Sequence, residues 1–259
     1  MSEFTEYAPG TPCWVDVTSP ELDRTLSFYS DLFGWEAEQD PRPEAGGYTM
    51  FSKDGKYVAA GSPPQQEGMP SFWTTYLASD DVDATAGKIR EAGGSLIMEP
   101  LDVFDAGRMT VAQDPTGASF GIWQAGEHHG AQLANEPGSL AWNECQTRDP
   151  EAAESFYRAV FGYGVDTAPM GEGAIYRVLK VGDKSVAGIF ELNEEMDEVP
   201  ANWATVFSVA DADAAAARTE ELGGTVIVQP IDIPEVGRFA TLQDPVGAVF
   251  QVLADAPLS

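Results

Sequence analysis

The chain is written twice. Phe28-Tyr29 with Phe33-Gly34 returns as Phe156-Tyr157 with Phe161-Gly162, and Gly107-Arg108 with Asp114-Pro115-x-Gly117 returns as Gly237-Arg238 with Asp244-Pro245-x-Gly247. The offset is 128 in the first part of each copy (156 − 28) and 130 in the second (244 − 114). A tandem duplication restricts the fold to two units of one pattern. The 259 residues suffice for two domains, expected at 1–126 and 137–259 with a linker at 127–136.

Each copy opens with a short strand, from Pro12 to Val17 or Leu140 to Cys145, followed by a helix whose start is marked by Ser19-Pro20 or Asp149-Pro150. Leu22, Leu26, Tyr29 and Phe33 recur at helical spacing, and Gly34 and Gly162 stand where left-handed caps belong. Short alternating runs then predict antiparallel strands. The plan repeats from Trp73 or Trp203, with helices starting at Asp81 and Asp211, so each copy reads as βαβββ twice. The fold class expected is α+β, in which each pair of modules forms a curved, mainly antiparallel sheet around a cleft.

Composition bounds the function. A hydrophobic fraction of 43% supports two cores, and no apolar run approaches the length of about 18 residues that spans a bilayer. The N-terminus has neither the basic start nor the apolar stretch of a signal peptide, which predicts a cytoplasmic protein. Cys13 and Cys145 fall on the opening strand of each copy and read as reduced, helix-facing core thiols. With 42 acidic against 14 basic residues, the net charge of −28 repels phosphate backbones and anionic lipid. Neither nucleic acid nor membrane is expected as a partner; the charge reads as a solubility feature or, alternatively, as attraction for a cationic ligand, and the oligomer expected is a monomer or homodimer.

Asp23-x-x-x-x-Phe28-Tyr29-x-x-x-Phe33-Gly34-Trp35, Ser79-Asp80-Asp81-Val82-Asp83-Ala84 and Asp114-Pro115-x-Gly117-x-x-Phe120, each with a counterpart in the second half, resemble the vicinal oxygen chelate superfamily of glyoxalase I, extradiol dioxygenases and bleomycin-resistance proteins. More narrowly, the chain resembles two-domain glyoxalase-like proteins labelled hydroxylases. The resemblance implies metal ligands of the His, Gln or Glu type on the first, fourth, fifth and eighth strands of a domain. Here the first-strand position holds Trp14 or Trp142, the eighth Gly121 or Gln251, and the fifth Thr74 or Ala204. Indole does not ligate a metal. The only histidines, His128 and His129, fall in the linker and read as solvated, so neither metal nor cofactor is expected.

Strand alternation indicates what replaces the metal. Trp14 and Asp16 in the first copy, with Trp142 and Glu144 in the second, should share the concave face, and an indole beside a carboxylate suits a cationic or aromatic ligand, the alternative being a core indole and a carboxylate bonded to neighbouring backbone N–H groups. Gly121, Trp123 and Gln251 should also face inward, Trp73 and Trp203 should stand at the rim, and Arg108 and Arg238 should either clamp a ligand or pair with Asp114 and Asp244. The function expected is binding of a small-molecule ligand in Trp-lined clefts. The alternatives are an enzyme using Asp16 or Glu144 as acid–base groups, or a metal-dependent lyase or dioxygenase.

Overall fold

The computed structural model describes residues 4–170 and 174–256. The first copy runs β1 (Pro12–Thr18), α1 (Leu22–Phe33), β2 (Glu36–Gln39), β3 (Thr49–Lys53), β4 (Lys56–Ser62), β5 (Phe72–Ala78), α2 (Val82–Glu91), β6 (Ser95–Val103), β7 (Gly107–Gln113) and β8 (Ser119–Ala125). The second runs β9 (Ser139–Thr147), α3 (Pro150–Phe161), β10 (Gly164–Pro169), β11 (Ile175–Val181), β12 (Lys184–Glu191), β13 (Asn202–Ser208), α4 (Ala212–Glu221), β14 (Thr225–Ile233), β15 (Gly237–Gln243) and β16 (Val249–Asp255). Each copy makes its own eight-stranded sheet, ordered β2-β3-β4-β1-β5-β8-β7-β6 and β10-β11-β12-β9-β13-β16-β15-β14. The pairs β1–β4, β5–β8, β9–β12 and β13–β16 are parallel and the others antiparallel. The tandem α+β reading of four βαβββ modules is the observed fold.

Local chemistry sets most helix ends. Asp149, Asp81 and Asp211 each accept a backbone N–H three residues on, at 3.0, 2.9 and 3.0 Å. The Ser19-Pro20 signal acts differently: α1 begins only at Leu22, and the Ser19 hydroxyl accepts from the Glu21 N–H at 3.2 Å and from Thr25 at 2.7 Å.

The two sheets turn their helix-facing sides toward one another. Phe28, Tyr29, Phe33 and Trp35 of the first copy share a core with Phe207 and Phe250 of the second, while Phe120 packs on Phe156 and Tyr157. The repeated motifs meet at this seam. Trp203 Nε1 donates to Tyr157 Oη at 2.7 Å, and Tyr157 Oη donates across the copies to Asp114 Oδ2 at 2.9 Å. The other oxygen of Asp114 takes the turn's own N–H groups from Thr116 and Ala118, at 2.8 and 3.1 Å, so one aspartate serves both turn and interface. On the opposite side Trp73 Nε1 donates to Tyr29 Oη at 2.8 Å, with Tyr29 facing Asp244.

Two expectations are corrected here. Trp73 and Trp203 do not stand at a cleft rim; Trp73 pairs with Val17 and Trp203 with Cys145 across adjacent strands, which puts both indoles on the helix face, buried in the shared cores. Burying each is worth roughly 1.5–3 kcal/mol. Cys145 is a core thiol as expected, but a register shift between Pro12 and Trp14 breaks the alternation of β1, and Cys13 packs with Trp14, Ala78 and Trp123 instead. No helix among the described residues is long and apolar enough to cross a membrane.

Candidate functional site

The concave faces carry the same relay in both copies. In the first, Trp14 Nε1 donates to Tyr48 Oη at 2.9 Å, and Asp16 Oδ2 accepts from Tyr48 at 3.3 Å and from Tyr76 at 2.9 Å. In the second, Trp142 Nε1 donates to Tyr176 Oη at 2.8 Å, Tyr176 donates to Glu144 Oε2 at 2.8 Å, and Gln146 donates to Glu144 Oε1 at 2.9 Å. An indole, a phenol and a carboxylate thus form one chain of hydrogen bonds on each floor.

Cross-strand register explains why. Trp14, Tyr76, Gly121 and Val111 stand side by side in one row across β1, β5, β8 and β7; the equivalent row in the second copy is Trp142, Val206, Gln251 and Thr241. Cross-strand neighbours share a face. A Cβ on Gly121 would lie 2.1 Å from the Tyr76 ring, so the glycine opens no space for a ligand and instead seats that ring. Likewise, a Cβ on Gly188 would lie 1.8 Å from Tyr176 Oη. The tyrosines were missed from sequence because they reach the carboxylates from other segments of the chain; for Tyr76 and Tyr176 the glycines beneath them were the available signal.

Burial governs the electrostatics. It pushes the Asp16 carboxyl up to about 6, against the lowering effect of its bonds from Tyr76, Tyr48 and Thr74. Glu144 is raised by the same cause, opposed by Gln146 and Tyr176. Tyr48, Tyr76 and Tyr176 are held protonated by burial and by the neighbouring carboxylates, so all three remain donors.

The linker departs from its expected solvated course. His128 turns inward, its ring edge-on to Trp14 at a centroid distance of 4.4 Å and near Trp123 at 5.7 Å, with Nε2 out of solvent and without a hydrogen-bond partner. Trp123 Nε1 fixes this course by donating to the His128 carbonyl at 2.8 Å. Desolvation lowers the His128 imidazole to about 4, with His129 adding to the effect. His129 itself is exposed.

Arg108 and Arg238 are not in either cleft. Arg108 donates to Asp83 on α2 at 2.8 Å and to Asp102 at 2.8 Å, and Arg238 pairs in the same way with Asp213 and Asp232. Alternation along β7 and β15 places them on the helix side, away from Asp114 and Asp244 as well as from the floor. Two surface depressions of about 190 and 180 Å³ also lie apart from the carboxylates, one walled by Tyr7, Cys13 and Trp123 and one between α2 and Phe161. No orphaned polar group lines either among the described residues.

The donors do not suit a metal held in the manner the resemblance implies. Trp14 and Trp142 present N–H donors already committed to tyrosines, Gly121 carries no side chain, and in the second copy Gln251 offers a ligating oxygen but Trp142 and Ala204 give it no companion at the first- and fifth-strand positions. Among the described residues no three His, Cys, Asp or Glu side chains converge.

Comparison with known proteins places this geometry. The model of the Glyoxalase/Bleomycin resistance protein/Dioxygenase superfamily matches residues 13–122 and 130–252. The mycobacterial protein CFP32, provisionally named a glyoxylase, from Mycobacterium tuberculosis is 47% identical over 99% of both chains. Anthracycline biosynthesis protein DnrV from Streptomyces peucetius is 43% identical over 96% of this chain and 95% of its own. Among solved structures, the Mn(II)-bound glyoxalase from Novosphingobium aromaticivorans superposes with a TM-score of 0.67 at 18% identity, covering 95% of this chain and 82% of that one. The dioxygenase LapB from Pseudomonas sp. KL28 gives 0.68 at 12% identity, covering 98% and 94%, a likeness of fold. The chain belongs to the Glyoxalase/Bleomycin resistance protein/Dioxygenase superfamily.

Proposed function

We propose that the protein binds a small aromatic or cationic molecule without a metal, using the tryptophan, tyrosine and carboxylate of its concave faces. The observation that carries this reading is the Trp142–Tyr176–Glu144 relay, with its Trp14–Tyr48–Asp16 counterpart, where relatives of the superfamily are expected to hold an ion. Indole faces attract cations and flat rings, and an ionised carboxylate at the base pairs with an amine. The overall charge of −28 adds long-range attraction for such a ligand and disfavours nucleic acid or anionic membrane as partner. The relative at 43% identity bears a name from anthracycline biosynthesis, so anthracyclines and their aglycones head the ligand series. Tryptophan fluorescence titrations should show quenching with about micromolar Kd, weakened about tenfold or more in Trp142→Ala. A full series without quenching contradicts the reading.

A second reading rests on the raised carboxylates: Asp16 near 6 and Glu144 raised, each with phenol donors, suit general acid–base catalysis at neutral pH. Turnover that survives EDTA and is lost in Asp16→Asn or Glu144→Gln supports an enzyme; unchanged turnover in both variants removes the proposed acid–base groups.

A further inference from the structure

A reciprocal pair of positions distinguishes the two clefts. Where the first copy has Tyr76 and Gly121, the second has Val206 and Gln251, in the same row of the sheet. Tyr76 lays a phenol over Gly121 and gives its hydroxyl to Asp16 at 2.9 Å. His128 adds a second ring against Trp14. The result is a closed floor, with Trp14 at 3% and Asp16 at 5% exposure.

The second floor lacks that phenol. Val206 has no hydroxyl to give, Trp142 and Glu144 keep solvent contact, and Gln251, only 5% exposed, has a buried Oε1 with no hydrogen-bond partner. Phe250 and Val252 on either side of Gln251 pack in the shared core, which fixes the glutamine on the opposite face. Trp142 and Gln251 stand two strands apart in one row, about 10 Å between backbones, a span that a flat bicyclic ring bridges. A buried acceptor without a donor costs roughly 1–3 kcal/mol.

We infer that the second cleft alone takes ligand, and that the ligand is a hydroxylated aromatic whose ring lies against Trp142 and whose O–H is given to the Gln251 acceptor, as Tyr76 gives its own to Asp16. The first cleft carries its phenol permanently and serves as scaffold. This deepens the proposed binding function and rests on it.

Isothermal titration of the full chain with 2-naphthol and with its methyl ether tests the inference. The expected result is one site per chain, about tenfold or greater preference for the naphthol, loss of binding in Val206→Tyr/Gln251→Gly with the thermal transition retained, and loss of the O–H preference in Gln251→Met. The last variant preserves bulk, so it reads the site even if the double variant fails to fold. Two sites per chain, equal affinity for the ether, or unchanged binding in the double variant would overturn the inference. Failure of naphthol while another aromatic or cationic ligand binds overturns this ligand class only; failure of every ligand overturns the binding function itself.

Discussion

The hydroxyl of Tyr157 in the second copy donates to the carboxylate of Asp114 in the first at 2.9 Å, and the same hydroxyl accepts from Trp203 at 2.7 Å. Three repeated motifs therefore converge on one buried junction between the copies. Tyr157→Phe removes an acceptor and a donor together and should cost about 1–3 kcal/mol, a fall of about 3–10 °C in Tm. Tyr29→Phe should cost less, because Asp244 Oδ2 already lacks a hydrogen-bond partner. Thermal melting of both variants checks the order.

Stability should respond to pH through opposed groups, Asp16 with Glu144 in the same direction against His128. Asp16 titrates near 6 when folded against an ordinary 3.8, so the folded state holds more protons between those values, and stability falls as pH rises through that window by about 3 kcal/mol. His128 is lowered from 6.5 to about 4, so the unfolded state holds more protons there and stability rises with pH over nearly the same range. The opposed contributions partly offset in the native chain. Relative to the native chain, Asp16→Asn should tilt the stability profile between pH 4 and 6.5 toward a rise, and His128→Phe toward a fall, in urea denaturation series.

Glycine opposite tyrosine is a requirement of each floor. Gly121→Ala should cost about 1–3 kcal/mol by driving Tyr76 off Asp16. Gly188→Ala displaces Tyr176 from Glu144 on the more exposed floor, and should reduce ligand affinity more than it reduces stability. Calorimetry and urea denaturation of the two variants separate these effects.

The arginines provide a contrast. Arg108→Met and Arg238→Met remove exposed ion pairs with Asp83, Asp102, Asp213 and Asp232, and each should change stability by at most about 1 kcal/mol. Ligand affinity should be unchanged. A loss of binding in either variant would reassign that arginine to the site.

The fold was legible because its signals are local and occur twice: strand alternation placed Trp14, Asp16, Trp142, Glu144 and Gln251 on the concave faces. What the sequence left hidden arises from pairing between distant elements. Trp73 takes its face from Val17 across the strand pair, and Cys13 takes its own from a register shift that no periodicity encodes. Tyr76 and Tyr176 enter the sites from strands whose order depends on the whole sheet, and Tyr48 from the segment that leads into β3. The inward course of His128 is set by the indole of Trp123, which donates to the His128 carbonyl five residues on.

The central claim is that ligand is held by indole, phenol and carboxylate with no ion between them. Titration of one bound aromatic ligand into EDTA-stripped protein, repeated after adding back Mn(II), Fe(II) or Zn(II), tests it directly. The account predicts the same affinity in every case; a ligand that binds only after metal is restored, with one ion per occupied cleft, would contradict it.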